Sequence, residues 1–176
     1  VVPMDGFHLA QSALQSLGRA GRKGAPDTFD AAGYVALLQR IRSQRPGDAA
    51  IWAPAFERAM EEPVAGSIAV SADVPVVITE GNYLLLDESP WPDVAALLDE
   101  VWYLDVDHPT RLSRLVARHV VHGRSPEAAR AWVDNIDEPN ARQIEASQCR
   151  ATRTVRWLNG GTNPELPTEV VRALPA

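Results

Sequence analysis

The run Val74 to Thr79 is short, apolar and mostly β-branched, and it ends in Glu80-Gly81. β-branched side chains suit the pleated surface of a sheet. A continuous apolar run with no polar alternation reads as a central strand buried on both faces. Val101 to Val106 reads as a second such strand, and Thr154 to Leu158 as a third, half-buried one. Val1 to Met4 reads as the tail of another. Helical patterns lie between them. Phe7 to Leu17 reads as a short helix, and Asp30 to Ser43 carries Val35, Leu37, Leu38 and Ile41 at helical spacing. Leu112, Leu115, Val116 and Val120 mark one apolar helix face. Ser125-Pro126 reads as an N-cap followed by proline at the first helical position. Asp137-Glu138-Pro139 breaks that helix and starts another. Gly18 to Pro26 reads as a loop, and Arg45 to Pro63 as mostly irregular, because Pro46, Gly47, Pro54 and Pro63 interrupt it. Strands separated by helices predict an α/β fold, a parallel sheet covered on both faces.

Length and charge narrow the function. A chain of 176 residues with 45% hydrophobic and 23% charged residues is that of one ordinary globular domain with a real core. The net charge of -6 argues against a general binder of nucleic acid or anionic membranes. No apolar run approaches the roughly 20 residues of a membrane span, and no signal peptide is visible at Val1-Val2-Pro3. The single cysteine, Cys149, excludes an internal disulfide and a four-cysteine zinc site. It fits a cytoplasmic setting, and on its helical stretch it reads as a small core residue. The five tryptophans are widely spaced and read as packing anchors.

Ligands on parallel sheets sit beyond the carboxyl ends of the strands. Asp5 and Glu80 occupy such positions, each followed by glycine. Asp5 is placed to act as a general base towards a substrate hydroxyl, or to cap its own turn. Glu80 is placed to order Mg²⁺ beside a nucleotide, or to serve as a turn residue. His8 follows Asp5 by three and reaches the same crevice. Arg111, Arg114 and Arg118 share one helix face, with Arg124 beyond, in a stretch free of acids from Pro109 to Pro126. Such a cluster suits phosphoryl oxygens, which arginine binds bidentately, or forms a solvated helix face. His119 and His122 lie on the same helix with no acid near them in sequence, which disfavours a metal site. Arg19, Arg22 and Lys23 sit among Gly18, Gly21 and Gly24, in a loop fit to meet an anionic substrate or nucleotide or to serve as a solvated basic turn. It is not a Walker loop: that needs G-x-x-x-x-G-K-[ST], and Gly24 follows Lys23, the only lysine among 17 basic residues.

Three motifs carry a resemblance: Met4-Asp5-Gly6-Phe7-His8; Lys23-Gly24-Ala25-Pro26-Asp27-Thr28-Phe29-Asp30; and Ile78-Thr79-Glu80-Gly81-Asn82-Tyr83-Leu84-Leu85. Together they resemble the phosphoribulokinase, uridine kinase and pantothenate kinase family of P-loop small-molecule kinases. The branch they look most like is that of nucleoside/nucleotide kinase, or fructose-transport kinase-like, proteins. The segment from Arg111 through Gly123-Arg124-Ser125 to Asp137-Glu138-Pro139 is similar to that branch's lid, approximately residues 109–140 of a single domain, 1–176. The resemblance implies ATP and Mg²⁺ as cofactors and a small-molecule acceptor: a nucleoside, sugar or vitamin. It implies Asp5 as base, Glu80 as the Mg²⁺-ordering acid, and Arg114, Arg118 and Arg124 over the ATP phosphates. Arg153 falls near the adenine side, and Asp5, His8, Lys23, Arg58 and Tyr83 near the acceptor. Family members are often homodimers. The family opens with a strand, P-loop and helix, and these 176 residues begin at what corresponds to the second strand. The expectation is a truncated chain with little or no kinase activity, and with apolar strand edges exposed where a central strand is missing. The alternative is a non-catalytic nucleotide- or metabolite-binding protein. A hydrolase would need a G-x-S-x-G elbow, which Ala65-Gly66-Ser67-Ile68 does not supply.

Overall fold

A computed structural model describes residues 1–156. Two strand tails meet first. β1 (Val2–Pro3) pairs in parallel with β4 (Thr79–Glu80), with Val2 opposite Thr79 and Pro3 opposite Glu80. A short 3-10 turn, Met4–Phe7, follows β1, so Asp5 and Glu80 leave the same end of one parallel pair. The Tyr34 hydroxyl donates to Thr79 Oγ1, which donates to the Val2 carbonyl at 2.6 Å, and this chain of bonds clamps the pair. Burial pushes the Tyr34 phenol up to about 12, so it stays protonated and keeps donating.

The helix α2 (Ala31–Arg42) organises the core. Asp30 caps it by accepting from the Gly33 N–H at 2.9 Å. Tyr34, Val35 and Leu38 pack into one cluster with Met4, Phe29, Tyr83, Leu84, Leu86, Trp91 and Val94. One residue round the helix, Leu37 packs into a second cluster with Val2, Ile51, Ala53 and Val70. A short helix, α1 (Gln11–Ser16), precedes α2, and another, α3 (Trp91–Ala95), carries Trp91 and Val94 into the first cluster.

The segment expected to be irregular is a hairpin. β2 (Ile51–Glu57) pairs antiparallel with β3 (Glu62–Val70). Pro54, which reads as a breaker in sequence, sits where the register shifts between Ala53 and Ala55. A bulge is where a sheet tolerates proline, because no ladder N–H is needed there. β2 packs against the Met4–Phe7 turn, so the hairpin is a wall of the Asp5 region.

The two strands expected to be fully buried are not. Only Thr79–Glu80 of the first run is strand, and Val76 and Ile78 before it are 57% and 59% exposed. β5 (Trp102–Asp105) pairs in parallel with β6 (Arg153–Arg156), leaving Trp102 and Leu104 exposed. Residues 157 and 158 of the third expected strand lie outside the described residues. The apolar runs report which residues prefer burial; among the described residues their outer faces instead line a cleft of about 1850 Å³.

α4 (His108–Val121), α5 (Pro126–Trp132) and α6 (Glu138–Ala146) form a helical cap beside this cleft. Ser125 caps α5 by accepting from the Ala128 N–H at 3.1 Å, and a π-helical turn, Val133–Asp137, leads into α6. The apolar face of α4 has the expected spacing, but Leu112, Leu115 and Val116 are only half-buried and Val120 is exposed. Three other expectations change. Cys149 is exposed, not a core residue. Trp52 and Trp102 are exposed, whereas Trp91 is buried and Trp132 is half-buried against His119; Trp157 lies outside the described residues. His119 does meet an acid, Asp137, at 2.7 Å across the cap.

Candidate functional site

Two glycines let the site exist. A Cβ on Gly81 would collide with the Met4 side chain, and one on Gly6 with the Pro54 carbonyl. Backbone approach this close is open only to glycine. Gly81 brings the β4 terminus against the Asp5 turn, and Gly6 brings the hairpin against it from the other side.

Asp5 is one-third exposed and accepts an ion pair from Arg58 Nη2 at 2.8 Å. His8 Nδ1 lies 2.8 Å from the Asp5 carbonyl oxygen. A carbonyl only accepts, so Nδ1 carries the proton. Burial lowers the His8 pKa; Asp5 opposes this, and Lys23 and Arg58 add to it. The ring is therefore neutral, and its Nε2 is an acceptor. It lies between Phe29 and Phe56, with centroids 4.0 and 4.7 Å away. Phe56, on β2, also meets two cations: Lys23 Nζ at 5.4 Å and Arg58 at 5.0 Å from its centroid. Contacts of this kind are favourable because the ring face is electronegative. Sequence reasoning missed Phe56. Its alternation along 51–57 was the available signal, and Pro54 concealed it.

The Gly18–Pro26 loop divides its charges. Arg22 donates to Asp27 Oδ2 at 2.5 Å and Arg19 to the Asp27 carbonyl at 2.8 Å. The Arg22 hydrogen bond, above all, holds the Asp27 carboxyl below the usual range. Lys23 reaches the other way and donates to the Glu61 carbonyl at 2.5 Å, across the hairpin tip. Tyr83, expected near the acceptor, is buried: its hydroxyl donates to the Gly24 carbonyl and its ring packs on Phe29 and Trp91. It shapes the loop from behind.

Glu80 stands on the cleft wall. Although it is exposed by surface area, the surrounding protein raises its carboxyl pKa, the Asp5 charge adds to that, and Arg58 opposes it. Two carboxylates close enough to feel each other beside an open cleft favour a cation between them. Among the described residues no three His, Cys, Asp or Glu converge as a metal site. A pair of carboxylates is a donor set that Mg²⁺ can share with phosphate oxygens.

Arg111 pairs with Glu145 and Glu138, at 2.7 and 3.1 Å, and lines the cleft. Arg114 and Arg118 line the cleft that Glu80 also lines. Arg124 is stacked on Trp132, 3.9 Å from the ring centroid. Arg153 lines the cleft at its far strand and pairs with Glu100 at 3.3 Å.

This arrangement has relatives. The chain is 39% identical over 133 residues to the ATP-dependent kinase-like protein notR' of Aspergillus versicolor, covering 73% of this chain and 77% of that protein. It is 35% identical over 151 residues to the "putative uridine kinase C227.14" of Schizosaccharomyces pombe, of which it spans 63%. Among solved structures, the "putative fructose transport system kinase" of Silicibacter sp. TM1040 superposes with a TM-score of 0.77 at 40% identity, over 88% of this chain and 73% of that one. YFH7 of Saccharomyces cerevisiae, described as "a putative P-loop containing kinase with a circular permutation", superposes with a TM-score of 0.76 at 25% identity, over 91% of this chain and 58% of that one. No family model matches. The fold is the α/β fold of these proteins, and the chain belongs to the P-loop kinase family.

Proposed function

We propose that this chain carries the acceptor site and lid of an ATP-dependent kinase acting on a hydroxyl of a small metabolite. The observation that carries this reading is the pair Asp5 and Glu80, side by side at the carboxyl end of the parallel β1–β4 pair, in a chain related to kinases over most of its length. Asp5 takes the proton of the acceptor hydroxyl. His8, neutral and fixed by its Nδ1 bond, orients the Asp5 turn and offers Nε2 to the acceptor. Lys23 and Arg58 bind the acceptor's polar groups. Arg114, Arg118 and Arg124 meet the phosphates from the lid, and Arg153 lies towards the base of the nucleotide. Glu80 would hold Mg²⁺, which when bound neutralises phosphate charge. The fructose-transport kinase-like branch, a cytoplasmic setting and a homodimeric assembly are parts of this proposal.

Transfer in this family depends on a phosphate cradle, its lysine and a Mg²⁺-binding hydroxyl. No G-x-x-x-x-G-K-[ST] occurs in these 176 residues. We therefore read the 176-residue polypeptide by itself as binding its acceptor without turning over ATP. The test has two arms. A coupled assay on the chain alone should show no turnover approaching ~1 s⁻¹, the low end for kinases. A chimera with a strand, G-x-x-x-x-G-K-[ST] loop and helix fused ahead of Val1 should transfer phosphate. Turnover by the chain alone would refute the division of labour, and a folded chimera that binds ATP but transfers to no hydroxyl would refute the kinase reading.

A further inference from the structure

Asp5 is held by an ion pair in this structure: its Oδ2 accepts from Arg58 at 2.8 Å, so one of its two carboxylate oxygens already has a partner. Arg58 lies in the turn between β2 and β3, and its side chain is 60% exposed. An exposed ion pair of this kind is weak and exchanges readily. Something with stronger claims on a guanidinium would displace it.

The surroundings say what that is. Lys23 and Arg58 both stand over the Phe56 ring. Lys23 makes no ion pair among the described residues; its ammonium is bonded to the Glu61 carbonyl. Three of the nearby acids are engaged, Glu61 and Glu80 not among them. Glu62 accepts from the Gln11 N–H at 3.0 Å, Glu57 from the Ala59 N–H at 3.1 Å, and Asp27 is neutralised by Arg19 and Arg22. His8 is neutral and adds no charge. Beside Asp5 stand two cations on one aromatic ring, a pairing suited to an oxyanion.

We propose that the acceptor carries an anionic oxygen group, phosphate or carboxylate, which binds Lys23 and Arg58 and draws Arg58 off Asp5. The charged acceptor thereby releases its own base, and an uncharged analogue leaves Asp5 locked. The subsite stands on the geometry of Phe56, Lys23 and Arg58; the release step rests on the kinase reading above.

Calorimetry on the 176-residue chain tests the subsite. The probes are ribose 5-phosphate against ribose, gluconate against glucose, and inorganic phosphate alone. The expected result is that at least one sugar anion binds about 10-fold or more tighter than its uncharged parent, the scale of a charge-assisted contact. The phosphate and carboxylate arms identify which oxyanion fits. Arg58→Gln and Lys23→Gln should each erase most of that preference. Both side chains are on the surface, and far-UV circular dichroism checks that the variants remain folded. Equal binding of anions and parents, a preference that survives both substitutions, or inorganic phosphate binding as tightly as the sugar phosphate would overturn the proposal. In the chimera, transfer to uncharged hydroxyls alone would also overturn it while leaving the kinase reading intact. Anion binding that depends on Arg58, with no transfer to any acceptor, would remove the kinase reading and leave the subsite.

Discussion

At Gly6 and Gly81 the side chain is absent because two backbones need the space. Gly6→Ala and Gly81→Ala should both be damaging, since one new Cβ meets the Pro54 backbone and the other meets the Met4 Cβ, which the backbone holds in place. We expect each to destabilise by about 1–3 kcal/mol, as overpacking does, in urea unfolding. Glu80 makes a prediction of opposite sign. Its carboxyl is raised above its ordinary value of 4.5 by burial and by Asp5, so the folded state disfavours its ionisation. Its contribution to stability is therefore fully present below the ordinary value and lost as pH rises through the raised one. Glu80→Gln should raise the Tm at neutral pH and bring no gain near pH 4. A Tm difference that stays constant with pH would contradict this. Asp5, Glu80, His8 and Lys23 could be singled out in the sequence because each adjoins a strand end, a glycine or a motif, and Arg58 only through the resemblance, which puts it in an insert near the acceptor. Phe56 could not, because its value depends on cations 33 and two residues away that only folding brings to it. Tyr83 adjoined the right motif but points into the core.

At the scale of elements, helices read more truly than strands. α2 and α5 declare themselves through caps, Asp30 and Ser125, whose hydrogen bonds are local in sequence. Asp30→Ala should cost about 1 kcal/mol and loosen both core clusters, since α2 feeds Leu37 to one and Tyr34 and Leu38 to the other. Hydrogen exchange across α2 should report it; unchanged protection would show the cap is dispensable. The hairpin was hidden by Pro54, because a proline at a bulge and a proline in a loop look alike in one dimension. Strand runs fared worst. Val74 to Ile78 has the composition of a central strand, yet strand identity lies in its partners, and among the described residues only Thr79–Glu80 is paired.

For the whole molecule, that mismatch has a physical consequence. Val76, Val77, Ile78, Trp102 and Leu104 are exposed, and all line the cleft between the β1–β4 and β5–β6 pairs. Unpaired apolar strand segments template association with other chains. Light scattering of the 176-residue chain should show concentration-dependent aggregation, and Val76→Lys should reduce it without lowering the Tm. Aggregation unaffected by that charge would place the sticky surface elsewhere. The α/β class was legible because alternation of elements survives local errors. The acceptor-side cluster was legible in outline, and the Arg58–Asp5 contact was not, because it joins residues 53 apart.

The central claim is that Asp5 is the base of a phosphoryl-transfer site. Its most direct test is γ-phosphoryl transfer from ATP by the P-loop chimera and its Asp5→Asn variant, with ATP binding measured in parallel. The account predicts that the variant binds ATP normally and loses transfer by about 10²–10⁴-fold, the range for removing a general base. Transfer at the parent rate by a folded Asp5→Asn chimera would contradict it.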